Sequence, residues 1–230
     1  MILVFIAMLI DIDNLAWNYL TFVSIEYYMP DLANATVKNG VVSGIGPRIK
    51  KSQKTFINTI RQGECLHWYK TGILKSRCYY KDDILDRKYE EWYENGQRRL
   101  VKIIVNGGDV YLKKWHENGK VDTIIKFTHP NVPCYSSMWY PSGQKKDIMV
   151  KSGDSFNYIS WHENGNMYRR YSRRALKYNG LSETWFENGN KKSEITYVNS
   201  EKMGVFKMWN EAGELIEHKY AIGHREYPLA

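Results

Sequence analysis

A short phrase, Trp-x-x-x-Gly, occurs seven times in this chain and constrains its fold more than any other feature. The phrase begins at Trp68, Trp92, Trp115, Trp139, Trp161, Trp185 and Trp209. Subtracting neighbouring tryptophan numbers gives intervals of 24, 23, 24, 22, 24 and 24 residues. A near-constant interval of this length is typical of repeat proteins, in which each unit is one small structural motif.

Each repeat has the sequence pattern of a β-hairpin. Four copies place Asn before the glycine, at Asn95-Gly96, Asn118-Gly119, Asn164-Gly165 and Asn188-Gly189, whereas Thr71-Gly72, Ser142-Gly143 and Ala212-Gly213 keep the glycine alone. Asn-Gly favours a two-residue type I′ turn, because that turn needs positive φ at both central positions. We therefore predict a two-residue turn in each repeat, with the tryptophan three residues earlier on the incoming strand.

The segments after these turns read as outgoing strands. Arg98 to Val105 and Val121 to Phe127 are examples, rich in the β-branched and aromatic residues that strands favour. Connections between repeats are too short for crossover helices. The prediction is a mainly β fold, an elongated antiparallel meander of seven hairpin repeats. Its repeat-defining structural residues are Trp68, Gly72, Trp92, Gly96, Trp115, Gly119, Trp139, Gly143, Trp161, Gly165, Trp185, Gly189, Trp209 and Gly213.

Strand periodicity also predicts which side chains meet. Because side chains alternate along a strand, the tryptophans share one face, and the residues one position later, mostly aromatic or His, share the other. If Thr71-Gly72 is a two-residue turn, paired residue numbers sum to 143 and Cys65 faces Cys78. Three cysteines without a Cys-x-x-Cys pair indicate a reducing compartment. We expect two free thiols at this pair.

The first sixty residues differ from the repeats. Apolar residues from Met8 to Val23 recur at spacings of three and four, which predicts a helix over residues 3–28 that ends before Pro30. Asp31 then resembles the cap of a second helix through Val37. The predicted domains are a helical cap over 1–40, a connector over 41–62, the repeat array over 63–221 and a tail over 222–230.

The apolar start, Met1 to Ile10, has the character of a signal-peptide core. It lacks a preceding Lys or Arg and a small-residue cleavage site, and about ten apolar residues fall short of the ~20 that span a bilayer. Extending it would bury Asp11 and Asp13 in hydrocarbon at high cost. We therefore predict a buried segment and an intracellular, cytoplasmic protein that is not secreted, with a membrane contact as the alternative.

No pattern in the sequence indicates an enzyme. His116-Glu117 and His162-Glu163 invite a metal or acid-base interpretation, but their histidines occupy a slot that is Tyr or Phe in most other copies. No phosphate loop, nucleophile elbow or paired carboxylates occur. We predict no catalytic, cofactor-binding or metal-binding residues.

Most of the net charge of +8 comes from the repeats. Basic pairs follow the turns, at Arg98-Arg99, Lys145-Lys146, Arg169-Arg170, Arg173-Arg174 and Lys191-Lys192, and some are interleaved with Tyr168, Tyr171 and Tyr178. Such interleaving can bind nucleic acid by stacking, and a basic surface can bind anionic lipid. Charged side chains on a sheet edge also prevent edge pairing. We prefer other proteins as partners, with self-assembly, nucleic acid and anionic lipid as alternatives.

Units of about two dozen residues with a Trp-x-x-x-Gly hairpin resemble MORN repeats over residues 63 to about 221. The Trp-x-Glu-Asn-Gly form is similar to the variant in antitoxin-component proteins of bacteria and repeat proteins of large DNA viruses. The resemblance implies a non-enzymatic scaffold for protein interactions, as a structural component of a large assembly such as a virus particle. Residues 7–15 and 22–28 also resemble part of an F-box, so an F-box-type or antitoxin-like adaptor is the alternative.

Overall fold

The computed structural model describes residues 4–6, 21–28, 36–38, 41–43 and 49–229, and every regular element in these ranges is a β-strand. The strands are β1 (Val4–Ile6), β2 (Thr21–Tyr27), β3 (Thr36–Lys38), β4 (Val41–Ser43), β5 (Lys50–Ile57), β6 (Ile60–Trp68), β7 (Leu74–Lys81), β8 (Ile84–Trp92), β9 (Arg98–Val105), β10 (Gly108–Trp115), β11 (Val121–His129), β12 (Val132–Trp139), β13 (Lys145–Ser152), β14 (Ser155–Trp161), β15 (Met167–Arg174), β16 (Lys177–Tyr178), β17 (Gly180–Trp185), β18 (Lys191–Val198), β19 (Glu201–Trp209), β20 (Leu215–Ile222) and β21 (Arg225–Pro228).

The chain forms two compact units, residues 1–110 and 111–230, with the boundary inside β10. In the first unit, β1, β2 and β5 to β9 pair in that order, and β3 and β4 form a separate hairpin. In the second unit, β11 to β15 pair in sequence, β15 pairs with both β16 and β17, and β17 to β21 continue the order. All pairs are antiparallel, so the predicted meander of hairpin repeats is confirmed.

The helical prediction for the N-terminal region is wrong wherever the structure describes it. Residues 4–6, 21–27 and 36–38 are strands, and residues 50–62, which we expected as connector, form β5 and the start of β6. In β2 the apolar residues Val23 and Ile25 alternate with Ser24 and Glu26, a period of two that pairing with β5 stabilises. Short apolar runs fit helix and strand periods alike. The rest of 1–40 lies outside the described residues.

Strands β2 and β5 form a further hairpin that the sequence pattern did not reveal. Tyr27 pairs with Lys50, and the backbone N–H of Tyr28 donates to the Ile49 carbonyl at 3.0 Å. In the Trp68 repeat, Trp68 pairs with Leu74 and the Tyr69 N–H donates to the Ile73 carbonyl in the same way. In the chain, residues 29–48 connect these two strands, at the position where the other repeats have a loop of three residues.

The predicted two-residue turn after each tryptophan is wrong, because the loop has three residues. In the Trp92 repeat, Gly96 N–H donates to the Tyr93 carbonyl at 3.0 Å and Tyr93 N–H to the Gln97 carbonyl at 2.8 Å. Only the glycine has positive φ, at +83°. This geometry is a type I turn followed by a left-handed residue. Asn95 instead accepts a hydrogen bond from Gln97 N–H at 2.9 Å.

Two-residue turns occur at the opposite ends of the strands. Both central residues have positive φ, as a type I′ turn requires, at Asn58-Thr59, Asp82-Asp83, Asn106-Gly107, Ala175-Leu176 and Asn199-Ser200. Asn106-Gly107 is an Asn-Gly turn of this kind, whereas the Asn-Gly pairs of the four repeat phrases lie in the three-residue loops at the other ends of their hairpins. The primed turns are therefore the connections between repeats.

The predicted pairing of Cys65 with Cys78 is confirmed, although the turn that predicted it is wrong. Trp68 pairs with Leu74, and a one-residue irregularity then shifts the register so that Cys65 faces Cys78. The three-residue loop and the bulge offset each other. Both thiols are buried and free.

Most buried side chains lie on one face of each unit. In the first unit this face carries Ser52, Cys65, Ser76, Cys78, Leu100 and Ile104, and in the second Leu112, Thr123, Ser136, Met149, Ser160, Tyr171, Ser193, Phe206 and Ala221. The seven repeat tryptophans are partly buried on the other face, which we call the Trp face. Strand alternation separates the two sets.

The loop glycines supply a first prediction. A Cβ on Gly96 would meet no atom within 4 Å, so substitution there costs only the left-handed backbone strain. We expect Gly96→Val to lower the free energy of unfolding by about 1–2 kcal/mol, measured by urea denaturation. Gly96→Asn should cost less, because Asn tolerates this conformation, and Glu94→Gln at the exposed neighbouring position should change little. Equal stability of Gly96→Val and wild type would refute the turn assignment.

Candidate functional site

In four repeats, the ring that follows the tryptophan links neighbouring repeats through a hydrogen bond. The Tyr69 hydroxyl donates to the Trp92 carbonyl at 2.9 Å, and the Tyr140 hydroxyl to the Trp161 carbonyl at 3.0 Å. His116 makes the same bond through Nε2 to the Trp139 carbonyl at 3.0 Å. Tyr28 and His162 repeat it with the carbonyls of Trp68 and Trp185. Where the ring in this slot has a polar tip, that tip binds the next repeat, which supports the structural interpretation of both histidines; Phe186 keeps the ring without this bond.

Asparagines at the loop tips form a second link between repeats. The Asn164 amide donates to the Glu187 carbonyl at 2.7 Å, and the Asn188 amide to the Glu211 carbonyl at 2.8 Å. Asn118 donates in the same way to the Pro141 carbonyl. The amides of Asn118, Asn164 and Asn188 thus have two functions, one within their own turn and one toward the next repeat.

On the Trp face of the second unit, an ion cluster surrounds a buried carboxylate. Glu183 is 5% exposed. Its Oε1 lies 2.8 Å from Lys191 Nζ, and its Oε2 accepts from Arg170 Nε at 2.8 Å. Lys191 Nζ also lies 5.9 Å from the Trp185 ring and 5.8 Å from the Trp209 ring. The positive charges of Arg170 and Lys191 are therefore already compensated.

In the first unit Glu90 occupies the same position, two residues before Trp92. It is 4% exposed and lies 2.9 Å from Lys88 Nζ and 3.4 Å from an Arg98 nitrogen. Two repeats thus place a buried glutamate beside the tryptophan and satisfy it with two cations. Such clusters explain several of the basic residues that the sequence pattern offered for nucleic acid.

The opposite face of the second unit carries a different arrangement, which we call the tyrosine–arginine surface: Tyr158, Arg169, Tyr171, Arg173, Tyr178 and Tyr197 on β14 to β18. The rings form a continuous row. The centroids of Tyr158 and Tyr171 are 4.7 Å apart with nearly parallel planes, those of Tyr171 and Tyr178 are 5.2 Å apart, and those of Tyr178 and Tyr197 are 5.6 Å apart. Cross-strand register produces this row, since neighbouring strands bring the rings side by side.

Two arginines lie over these rings. The Arg169 guanidinium is 4.9 Å from the Tyr171 centroid, and that of Arg173 is 5.5 Å from Tyr171 and 4.6 Å from Tyr178. Arg173 also donates to the Tyr178 hydroxyl at 3.0 Å. Burial raises the pKa of the Tyr171 phenol, despite the opposing effect of both arginines. The phenol is therefore neutral at physiological pH and cannot compensate either cation.

A groove of 540 Å³ opens within this surface, on the same face of β15 to β18. Tyrosine rings, Tyr171, Tyr178 and Tyr197 among them, form much of its lining together with Arg169. Ser182 and Thr184 contribute hydroxyl groups. Ser182 is much smaller than the tyrosines in the neighbouring row, which leaves space beside them. The groove therefore combines aromatic walls, hydroxyl donors and a positive charge.

Among the described residues, strands β14 to β18 carry no carboxylate on this face, and the neighbouring Asp147 of β13 accepts a hydrogen bond from Ser160 Oγ at 2.6 Å, the hydroxyl that Arg169 Nε approaches at 3.5 Å. Strand alternation places Glu183 and Glu194 of β17 and β18 on the Trp face, beside Arg170 and Lys191. Neither Arg169 nor Arg173 forms an ion pair within the part of the chain that the structure describes. The arrangement can therefore bind an anionic group from another molecule.

The structure separates the basic pairs that the sequence placed together. Arg169 and Arg173 join Tyr171 and Tyr178, whereas Arg170 binds Glu183 and Arg174 lies 3.5 Å from Asp154 at a turn. Elsewhere Arg98 and Arg99 face Glu90 and Glu91, and Lys145 and Lys146 lie over Trp139 and Tyr140. Sequence reasoning missed Tyr158 and Tyr197. These two tyrosines could have been found only by working out which residues face each other across neighbouring strands.

Within the described ranges, no group of three or more His, Cys, Asp and Glu side chains is placed to hold a metal ion. No helix in the same part of the chain has the length and apolar character to cross a membrane.

The geometry defines a class, the repeat proteins built from consecutive antiparallel β-hairpins. The family model described as MORN repeat variant matches residues 61–82 and 178–199. Each match covers one hairpin with its three-residue loop, from one inter-repeat turn to the next. The chain thus contains MORN-type repeats at these two positions, and its other hairpins follow the same pattern. MORN repeats are protein or lipid interaction modules and are generally not catalytic. No curated protein matches the sequence significantly.

Proposed function

We propose that this chain is a non-enzymatic scaffold that binds other proteins through the tyrosine–arginine surface. The observation that supports this proposal is a row of four tyrosines in ring contact, with two arginines that form no ion pair among the described residues. Tyrosine and arginine are enriched among the residues that contribute most to protein interfaces. Rings already held by stacking lose little conformational freedom on binding.

We further propose that the scaffold is a structural component of a large assembly in the cytoplasm. The resemblance to repeat proteins of large DNA viruses supports a virus particle as that assembly. The F-box-type adaptor is less favoured, because Phe22, Val23, Ser24 and Tyr27 lie in β2, paired with β5. The other residues behind that resemblance, 7–15, lie outside the described ranges.

Site-specific photo-cross-linking in the native source tests the proposal. A photoreactive amino acid at Tyr197, on the tyrosine–arginine surface, should capture a partner protein that mass spectrometry identifies and that binds saturably when purified. The same group at Val205, which is exposed on the Trp face, is the matched control. Capture of the same partner at Val205 alone would contradict the choice of surface. Absence of any saturably binding protein at either position would contradict the function.

A further inference from the structure

We infer that the groove in the tyrosine–arginine surface binds an acidic segment of a partner protein, with one Asp or Glu side chain inserted beside Arg169. This inference rests on the proposed function and names the chemistry of the partner. It depends on the available faces of the rings, the free donors of the two arginines and the composition of the groove.

The ring faces favour a peptide over single-stranded nucleic acid. Tyr158 and Tyr171 stack against each other at 4.7 Å with an angle of 7° between their planes. Arg169 and Arg173 lie over Tyr171, and Tyr171 itself is 7% exposed. Nucleic-acid stacking needs open aromatic faces, and neighbouring side chains cover those of Tyr158 and Tyr171, whereas Tyr168 at the edge of the groove is 44% exposed. Ring edges and hydroxyl groups remain for contacts with a partner.

The guanidinium groups supply hydrogen-bond donors for a carboxylate. An arginine has five N–H donors. Arg173 uses one toward the Tyr178 hydroxyl, and Arg169 Nε approaches Ser160 Oγ at 3.5 Å. Arginine stacked on an aromatic ring can still bind a carboxylate with its edge. Such charge-assisted bonds are about twice as strong as neutral ones.

The limited charge of the surface also fits a short acidic segment. Nucleic-acid binding at physiological salt relies on many phosphate contacts, of the order of 6–10 for a typical site. The nearby cations Arg170, Lys191, Lys202 and Lys219 are paired with glutamates. Two uncompensated arginines match one or two carboxylates instead.

The groove matches one inserted carboxylate side chain. Ser182 and Thr184 line it with hydroxyl groups, and Thr184 Oγ1 already shares a hydrogen bond with Ser193 Oγ at 2.6 Å. Hydroxyl donors and Arg169 would together satisfy a carboxylate that leaves water. The tyrosines around it would cover the apolar stem of a Glu side chain.

Fluorescence anisotropy with the full chain and a labelled oligoglutamate peptide tests this inference. We expect saturable binding that weakens with added salt, and at least about tenfold weaker binding for the double variant Arg169→Gln, Arg173→Gln, which loses both charge-assisted contacts. Arg174→Gln, at an exposed residue of the same strand, should bind like wild type. Ser182→Phe should also lose binding, because it fills the groove without a change of charge. Thermal unfolding of each variant checks that it is folded.

Several outcomes would overturn the inference. These are equal oligoglutamate affinity for wild type and the double variant, equal affinity for oligoglutamine, or tighter binding of oligothymidylate or phosphatidylserine vesicles that depends on the same arginines. The proposed function would survive them if the partner captured at Tyr197 still bound the double variant. If cross-linking captured no saturably binding protein, the proposed function itself would be contradicted, whatever the result with the peptide.

Discussion

Phe206→Ala should destabilise the second unit by about 3 kcal/mol, within the range for truncation of a buried phenylalanine. Phe206 is 1% exposed. Lys202 Nζ and Lys219 Nζ lie 4.5 Å and 5.8 Å from its ring centroid. Glu226 holds both ammonium groups, at 2.7 Å and 3.5 Å. The lysine stems therefore cover the ring, as long charged side chains often do.

Urea denaturation followed by tryptophan fluorescence measures this effect. Phe206→Leu is the matched variant and should recover much of the loss, since it keeps most of the apolar volume. Val205→Ala, at the exposed neighbouring position, should change the free energy of unfolding by less than about 0.5 kcal/mol. A small effect of Phe206→Ala, comparable to that of Val205→Ala, would show that the lysine cover does not bury the ring in solution.

Glu183→Gln should be the second most disruptive substitution, with a loss of about 2 kcal/mol at neutral pH. Glu183 is buried, and the change leaves Arg170 without its countercharge and Lys191 with Glu194 alone. Removing one partner of a buried ion pair costs about 3–5 kcal/mol, and the partial exposure of both cations lowers that value. Glu187→Gln, on an exposed loop, is the control and should be nearly neutral.

The same cluster predicts a pH dependence. Burial alone would raise the pKa of Glu183, but hydrogen bonds and charge from Lys191 and Arg170 outweigh it and hold the pKa below its ordinary value. The cluster therefore stabilises the fold above the unfolded glutamate pKa of about 4.3, and this contribution disappears as pH falls through the lower folded value. The stability gap between wild type and Glu183→Gln should narrow in acid. A constant gap from neutral to acid pH would contradict this account.

The sequence predicted the repeats well because one phrase recurs at a nearly constant interval and because glycine is the residue best suited to the left-handed loop position. It predicted the loop length poorly. Asn-Gly suits both a two-residue primed turn and a type I turn followed by a left-handed glycine, and the two differ by one residue that the bulge then restores. For this reason the predicted pairing of residues far from the loop, such as Cys65 with Cys78, is correct.

The sequence predicted only some of the residues in the tyrosine–arginine surface. Arg169, Tyr171, Arg173 and Tyr178 are near neighbours in the chain, and local interleaving indicated them. Tyr197 is distant from Arg169 to Tyr178 in the chain, and its place in the row depends on register across β15 to β18, which is interrupted between β16 and β17. The N-terminal strands were missed because spacings of three and four among apolar residues outweighed the alternation in Val23 to Glu26.

Where the ring carries a polar tip, as at Tyr69, His116, Tyr140 and His162, its hydrogen bond to the following tryptophan carbonyl has a direction, from the earlier repeat to the later one. Donor and acceptor are adjacent residues of the same repeated phrase. A unit added by tandem duplication would bring its own donor and acceptor, and both new junctions would be complementary at once. The array can therefore gain or lose length in whole repeats without compensating substitutions, whereas an insertion of a single residue within a strand would reverse its two faces.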